Sequence, residues 1–451
     1  MMRRLTSPVF ILVLVFTWSS RHNLMAFAED QGAVVPPKDM DVWVVAGQSN
    51  SQGWALLKAP VPGDPQVFAW EPSGQWVQAR EPLNKDFFRW TPEPVEPNIL
   101  LQRDGLAVQD KASVDDFLQK WRAESSDPLG GVGLGVIFAK RLHEVTHRPI
   151  GLILCGVGSP IREWDPDSNP KGRLYAHMLE LILAAGGRVK GLIWYQGESD
   201  ALTLGAAAQY GGALLRLIDG VRRDLHQTDL PILCVQTGRF AYPYNRGAED
   251  WESVREAQRQ AALERKHIYL VSSIDLFLED DIHVGFEGYQ RLAPRLAEIA
   301  LSQVYKIPDH GSPLALESVQ LIAVDGRRPM IRVKISGVTG RLKAEGRPSG
   351  FEIRMPRPTQ DPGEKYPLRP ADVPLYSVYR VDFDPSDRTA LILGLFDASP
   401  ILLGRYHPIC GPLDLVYAPG LNPYANITDA RDIALPAFGP VKVEAAPCQN
   451  P

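Results

Sequence analysis

Residues 42–50 read VWVVAGQSN: five apolar residues without a polar break, then Gly47-Gln48-Ser49-Asn50. A strand that is apolar on both faces belongs inside a parallel sheet covered by helices on each side. The same texture returns at 150–155 (IGLILC), 189–195 (VKGLIWY), 231–236 (PILCVQ) and 267–272 (HIYLVS). Between these runs, apolar residues recur at helical spacing over 135–145, 174–185, 206–226, 254–264 and 288–302, with Pro294 near the first turn of the last. Strand and helix alternating in this way predict an α/β fold over residues 36–305, a doubly wound parallel sheet flanked by helices. Over 60–127 the pattern weakens and Pro and Trp are frequent, so this stretch reads as an excursion of loops over the strand ends.

Beyond 308–311 (PDHG) the texture changes to short alternating runs such as 330–335 (MIRVKI) and 379–383 (YRVDF), closely punctuated by Pro and Gly. This predicts a smaller β-rich, mostly antiparallel accessory domain over 312–451. The chain has 451 residues, enough for two domains. Its composition, 45% apolar and 22% charged, is that of a globular protein rather than a disordered or fibrous one. The net charge of −5 and the lack of a long basic run argue against a nucleic-acid partner. Cys155, Cys234, Cys410 and Cys448 lie too far apart for a metal finger. Cys155 and Cys234 fall in strand runs and are expected to be buried thiols; whether Cys410 and Cys448 pair is left open.

Residues 1–28 are expected to be a signal peptide. Arg3 and Arg4 precede the apolar run 9–16, which is too short to span a bilayer, and Ala26-Phe27-Ala28 is a small-x-small cleavage pattern. The other reading of the segment is an uncleaved anchor. Cleavage after Ala28 removes three arginines and no acid, leaving a net charge of about −8 on a secreted or periplasmic protein. No later stretch is long and apolar enough for a membrane helix, so no stable membrane insertion is expected.

Three segments follow strand runs, where open α/β sheets bind their ligands. Ser49 on the turn after 42–46 presents an exposed hydroxyl beside helix N–H donors, or else simply caps the next helix. Gln196, after 189–195, offers an amide to a developing oxyanion, or else satisfies its own loop. Asp280-Asp281-Ile282-His283 places a carboxylate three residues before a His, so that one ring nitrogen is held and the other is free to act as a base. Gly158, after 150–155, lets a backbone N–H approach a reacting oxygen. Nucleophile, base and orienting acid brought to one sheet edge constitute a serine hydrolase.

Four blocks, GQSN (47–50), GSPIREW (158–164), WYQGESDA (194–201) and DDIHVGFEGYQRLA (280–293), occur in an order that resembles the SGNH hydrolases. More narrowly they resemble carbohydrate acetylesterases of the sialate O-acetylesterase type. The resemblance covers most of residues 41–300. It implies Ser49 as nucleophile, His283 as base and Asp280 as the orienting acid, with Asp281 a rival for the last role. It also implies an oxyanion hole from the N–H groups of Ser49 and Gly158 and the side chain of Gln196. No metal or organic cofactor is implied. Ser51 stands where the pattern usually has Met, and Val284 and Glu287 where Pro and Lys are common. Segments 349–353, 414–417, 422–424 and 435–440 more loosely resemble the β-rich tail of the longer proteins of this type.

Trp164, Glu198 and Arg162 are the candidate substrate-binding residues: a ring to stack on a sugar, a carboxylate for a hydroxyl, and a cation for an acidic sugar. Their structural alternatives are a core Trp, a loop-fixing carboxylate and an ion pair with Glu163 or Asp165. Asn426-Ile427-Thr428 is a glycosylation sequon. The expected function is removal of O-acetyl groups from an acetylated carbohydrate, sialic acid or a polysaccharide. A lipase or thioesterase on the same fold, and an inactive carbohydrate-binding protein, are the competing readings; the sugar and the oligomeric state are not readable from the sequence.

Overall fold

The computed structural model describes residues 33–71, 73–83, 131–241, 247–324, 328–354, 376–397 and 413–443. The proposed leader, most of the 60–127 excursion, Cys410 and Cys448 lie outside the described residues. The described residues belong to one compact unit.

Seven strands build the first sheet: β1 (Asp41–Gly47), β2 (Val67–Glu71), β3 (Gln75–Gln78), β4 (Ile150–Gly156), β5 (Gly191–Tyr195), β6 (Ile232–Gln236) and β7 (Ile268–Ser272). Their order is β3-β2-β4-β1-β5-β6-β7, all parallel except β3, which runs antiparallel to β2 at the edge. The β2–β3 hairpin corrects the expectation of loops throughout 60–127. Its strands are short, and among the described residues no strand pairs beyond β3, so the hairpin lacks the long apolar run of an inner strand.

Alternate residues of β1 feed two cores. Trp43 and Val45 face the layer of α2 (Gly135–Thr146) and α7 (Phe286–Gln303), with Phe138, Leu142, Leu292 and Leu296. Val42, Val44 and Ala46 face the layer of α3 (Arg173–Ala184), α5 (Ala207–Asp224) and α6 (Ala248–Glu264), with Leu174, Leu214 and Val254. Burial on both faces is what made these strands continuous in the sequence. Two short helices, α1 (Ser49–Gln52) and α4 (Glu198–Leu202), open at strand ends. Pro294 sits in the middle of α7 rather than near its start, because the helix already begins at Phe286. Cys155 and Cys234 are free and buried, and burial pushes both thiols up, Cys234 to about 12.

The C-terminal strands are β8 (Ala315–Val324), β9 (Arg328–Ser336), β10 (Lys343–Ala344), β11 (Phe351–Arg354), β12 (Tyr376–Phe383), β13 (Ala390–Asp397), β14 (Asp414–Tyr417), β15 (Ile427–Thr428) and β16 (Phe438–Lys442). They pair antiparallel as β12-β13-β9-β8, β11-β14-β16 and β10-β15. Their core is continuous with that of α7: Ile331, Leu393 and Leu435 belong to the same apolar cluster as Leu296. The amide of Asn426 donates to Glu345 O (2.6 Å) and Arg347 O (2.8 Å), so a glycan on this sequon, which replaces one amide hydrogen, would have to break one of these bonds. Among the described residues no helix is long and apolar enough to cross a membrane.

Candidate active site

The turn after β1 is shaped by lack of space. Gly47 has φ +137°, and a Cβ there would stand 2.0 Å from the carbonyl oxygen of Tyr195 on β5. The next residue uses that same carbonyl: Gln48 N donates to Tyr195 O (3.0 Å), while Val157 N, after β4, donates to Gly47 O (3.0 Å). Three strand ends are thereby tied at one point. Gln48 Oε1 accepts the N–H groups of Gly197 and Ser199 (3.3 Å each), joining the turn to the start of α4. Ser51 Oγ donates to Gln48 O (2.7 Å), so this small residue closes the turn with a hydrogen bond. Ser49 does not cap α1: it is the first residue of that helix, whose N-cap position is Gln48. Instead, Ser49 Oγ lies 2.9 Å from His283 Nε2.

His283 comes from the loop between β7 and α7. Its Nδ1 is 2.6 Å from Asp280 Oδ2, and Asp280 Oδ1 accepts the N–H groups of Ile282 (2.9 Å) and His283 (2.7 Å). Burial pushes the Asp280 carboxyl up, but the bonds from His283 and Ile282 outweigh it and hold the group at about 2. An ionised carboxylate only accepts, so Nδ1 carries the ring proton and the Nε2 lone pair faces Ser49. Asp281 takes a different part: its carbonyl accepts Ala241 N–H (2.7 Å). Trp54 stacks on the imidazole at 4.6 Å and 20°, covering one ring face.

Beyond β4 and β5 the other segments converge. Gly158 is exposed, and among the described residues neither its N–H nor that of Ser49 has an acceptor. Gln196 departs from its expected place in an oxyanion hole. Its Nε2 donates to Asp200 Oδ2 (2.6 Å) and Ser159 O (3.1 Å), which uses both amide hydrogens. Turning the amide over would set its oxygen against two acceptors. Asp200 Oδ2 also accepts Ile161 N–H (2.9 Å), so this carboxylate holds the Gly158 loop and Gln196 together. Burial raises its carboxyl to about 6, against the bonds from Gln196 and Ile161.

Two of the three candidate sugar contacts are corrected. Trp164 has no exposed surface: it packs edge-on against Trp194 at 5.1 Å and donates from Nε1 to Ser159 Oγ (3.1 Å). Glu198 is buried as well, its Oε1 accepting from Asn50 Nδ2 (2.8 Å). Arg162 is exposed, with its Nε 3.8 Å from Glu163. The residues that sequence reasoning missed are Gln48, Asn50, Trp54 and Asp200. Gln48, Asn50 and Asp200 lie within the quoted blocks; the partners of Gln48 and Asn50 are distant in sequence, while Asp200 joins a near one, Gln196, to a distant one, Ile161; Trp54 carried no signal beyond its closeness to Ser49.

A serine, a histidine and an aspartate in hydrogen-bond series at the strand ends of a doubly wound sheet is the arrangement of serine hydrolases. Residues 39–302 match the family described as carbohydrate esterase, sialic acid-specific acetylesterase, and the chain belongs to that family. A probable carbohydrate esterase from Arabidopsis thaliana is 35% identical over 180 residues, 38% of this chain; the match spans 64% of that relative's length. The solved structure of an Arabidopsis thaliana protein is 25% identical, covering 58% of this chain and 98% of its own, with a TM-score of 0.43. The crystal structure of a carbohydrate acetylesterase from Xanthomonas citri aligns with a TM-score of 0.58 at 21% identity, over 88% of this chain and 80% of that one. This last likeness is one of fold, and its extent takes in C-terminal strands as well as the α/β layer.

Proposed function

We propose that this chain is an exported serine esterase that removes O-acetyl groups from carbohydrates through an acyl-enzyme. The observation that carries the reading is the unbroken series Ser49 Oγ, His283 and Asp280, at 2.9 and 2.6 Å. Ser49 Oγ attacks the acetyl carbonyl carbon while His283 Nε2 takes the hydroxyl proton. Asp280, held ionised, keeps Nδ1 protonated and stabilises the imidazolium. The negative charge moves to the carbonyl oxygen, to which the free N–H groups of Ser49 and Gly158 donate. One such donor is worth about 3 kcal/mol of barrier. Gln196 contributes by holding Ser159 O; it could donate to the oxyanion only by releasing that carbonyl or Asp200. The oxyanion's electron pair re-forms the carbonyl, the bond between the acyl carbon and the sugar oxygen breaks, and the imidazolium protonates that oxygen to give the free sugar hydroxyl. Water, deprotonated by Nε2, then attacks the acetyl carbon; the acyl–Oγ bond breaks, the imidazolium returns the proton to Ser49 Oγ, and acetate leaves.

Acetate release from O-acetylated sialic acid, acetylated xylan and p-nitrophenyl acetate tests the reading, with Ser49→Ala as control. Ser49→Ala should lose about 10⁴-fold or more in rate and keep its melting temperature, since Ser49 Oγ bonds only to His283 in this arrangement. Activity within tenfold of wild type would remove Ser49 from the role. The preferred substrate in the panel names the sugar.

A further inference from the structure

Asn50 occupies a junction that the chemistry above leaves unused. Its Nδ2 donates to Glu198 Oε1 (2.8 Å) and to Ile282 O (3.2 Å), and its Oδ1 accepts the N–H of Val284 (2.9 Å). One amide thus grips the main chain on both sides of His283. The same residue directly follows Ser49, and its carbonyl accepts the hydroxyl of Tyr289 on α7 (3.0 Å). Nucleophile and base are therefore linked through a single side chain as well as through their own hydrogen bond.

The main chain already sets which way that amide points, since Ile282 O only accepts and Val284 N–H only donates; Glu198 Oε1 takes the second amide hydrogen and holds the Asn50 side chain from the side of α4. Both residues are 1% exposed, and Glu198 Oε2 is buried with no hydrogen-bond partner among the described residues. Burying a carboxylate with one oxygen unmatched costs stability, so packing alone gives no reason for an acid here. Burial pushes the carboxyl above its ordinary value, while the Asn50 amide and the nearby His283 ring pull it back.

We propose that Glu198 is a positioning residue for ester hydrolysis: acting through Asn50, its carboxylate fixes the main chain at 282–284 and so keeps His283 Nε2 on Ser49. This rests on the esterase reading of Ser49 and His283.

The test compares Glu198→Ala, Glu198→Gln, Asn50→Ala and the double alanine variant in the full chain. With p-nitrophenyl acetate, Glu198→Ala should lower kcat about 30-fold with KM within about twofold, as expected when a reacting group drifts rather than when binding is lost. Glu198→Gln can still accept from Asn50 and should restore kcat to within about fivefold of wild type. The double variant should be no worse than Asn50→Ala by more than about twofold, because both losses act on one path. An independent reading is the proton NMR signal of His283 Nδ1–H on Asp280, which should shift or broaden in Glu198→Ala and persist in Glu198→Gln. A folded Glu198→Ala with wild-type kcat and an unmoved signal, or losses that simply add, would overturn the proposal. Should Glu198→Ala fail to fold, full kcat in Asn50→Ala would overturn it equally. A wild type that hydrolyses no ester would defeat the esterase reading, while the NMR comparison would still decide this one.

Discussion

The two halves of the candidate site are held by different means. The nucleophile turn, 47–52, is built from the sheet itself: Gly47 sits where no Cβ fits, and Tyr195, Val157 and Gln48 lock it with main-chain and buried amide bonds. The acid–base loop, 279–284, is more open, with the Asp280 side chain 40% exposed. It is braced from behind by a relay that begins in the C-terminal region. Leu421 O accepts Phe240 N–H (2.9 Å), and Ala241 N–H in turn reaches Asp281 O (2.7 Å). Arg239 bridges Asn422 Oδ1 (3.0 Å) and Leu276 O (2.7 Å). Asp275, which leads into the loop, shares Arg291 and Arg295 with Asp432 at 2.7–3.1 Å. The buried Arg255 joins the carbonyls of Thr237 and Gly238 to those of Gly420 and Leu421. One half of the site is thus local to the α/β layer, and the other depends on loops between C-terminal strands, well over a hundred residues further along the chain.

The largest effect expected on the open half comes from its acid. Asp280→Asn removes the charge that fixes the His283 tautomer and should cost about 10³-fold or more in kcat. Asp281→Asn leaves the carbonyl that holds Ala241 in place and should stay within about threefold of wild type. Steady-state rates on p-nitrophenyl acetate decide it; the reverse ranking would move the orienting role to Asp281. The folded value of about 2 lies below the ordinary 3.8, so the stability Asp280 adds is complete above that ordinary value and is lost as pH falls through about 2.

Asp200 gives the opposite sign on the closed half, and so sharpens the contrast. Its carboxyl is raised from 3.8 to about 6, chiefly by burial, so the folded state binds the proton more tightly than the unfolded chain does. Its favourable contribution is present below the ordinary value and is lost as pH rises through about 6. Asp200→Asn can keep accepting from Ile161 and Gln196 without titrating. Relative to wild type, this variant should gain about 2 kcal/mol of unfolding free energy between pH 4.5 and 7.5. Urea unfolding of both proteins at the two pH values measures the difference directly. A difference that does not change with pH would mean that Asp200 is not destabilised by its burial.

The same division explains what could be read from sequence. Strands β1, β4, β5, β6 and β7 were legible because burial on both faces leaves an unbroken apolar run. The β2–β3 hairpin was hidden by its shortness, and α6 begins earlier than expected because its first turns, AEDWES, are mostly polar. Ser49, Asp280 and His283 stood out by residue type at strand ends. Asn50 and Trp54 did not, since their roles come from partners up to 234 positions away, as in the Val284–Asn50 bond. Trp164 misled for the converse reason: an indole suited to a sugar face is equally suited to a core, and only its contact with Trp194 distinguishes them.

The smallest expected effect tests the brace itself. Asn422→Ala removes one exposed acceptor from Arg239, whose other end still holds Leu276 O. Water can replace the lost partner, so stability should fall by no more than about 1 kcal/mol and kcat by about twofold. The informative reading is where the structure loosens. Amide hydrogen exchange reports local opening, and a brace acting on one half of the site should release that half alone. Exchange should therefore quicken at 279–284 and stay unchanged at 47–52. Equal acceleration in both segments would mean that the two halves share their support. No acceleration in 279–284 would mean that Phe240, Ala241 and the Asp275–Asp432 arginines hold the loop without help from Asn422, and would shift the brace to the carbonyl of Leu421.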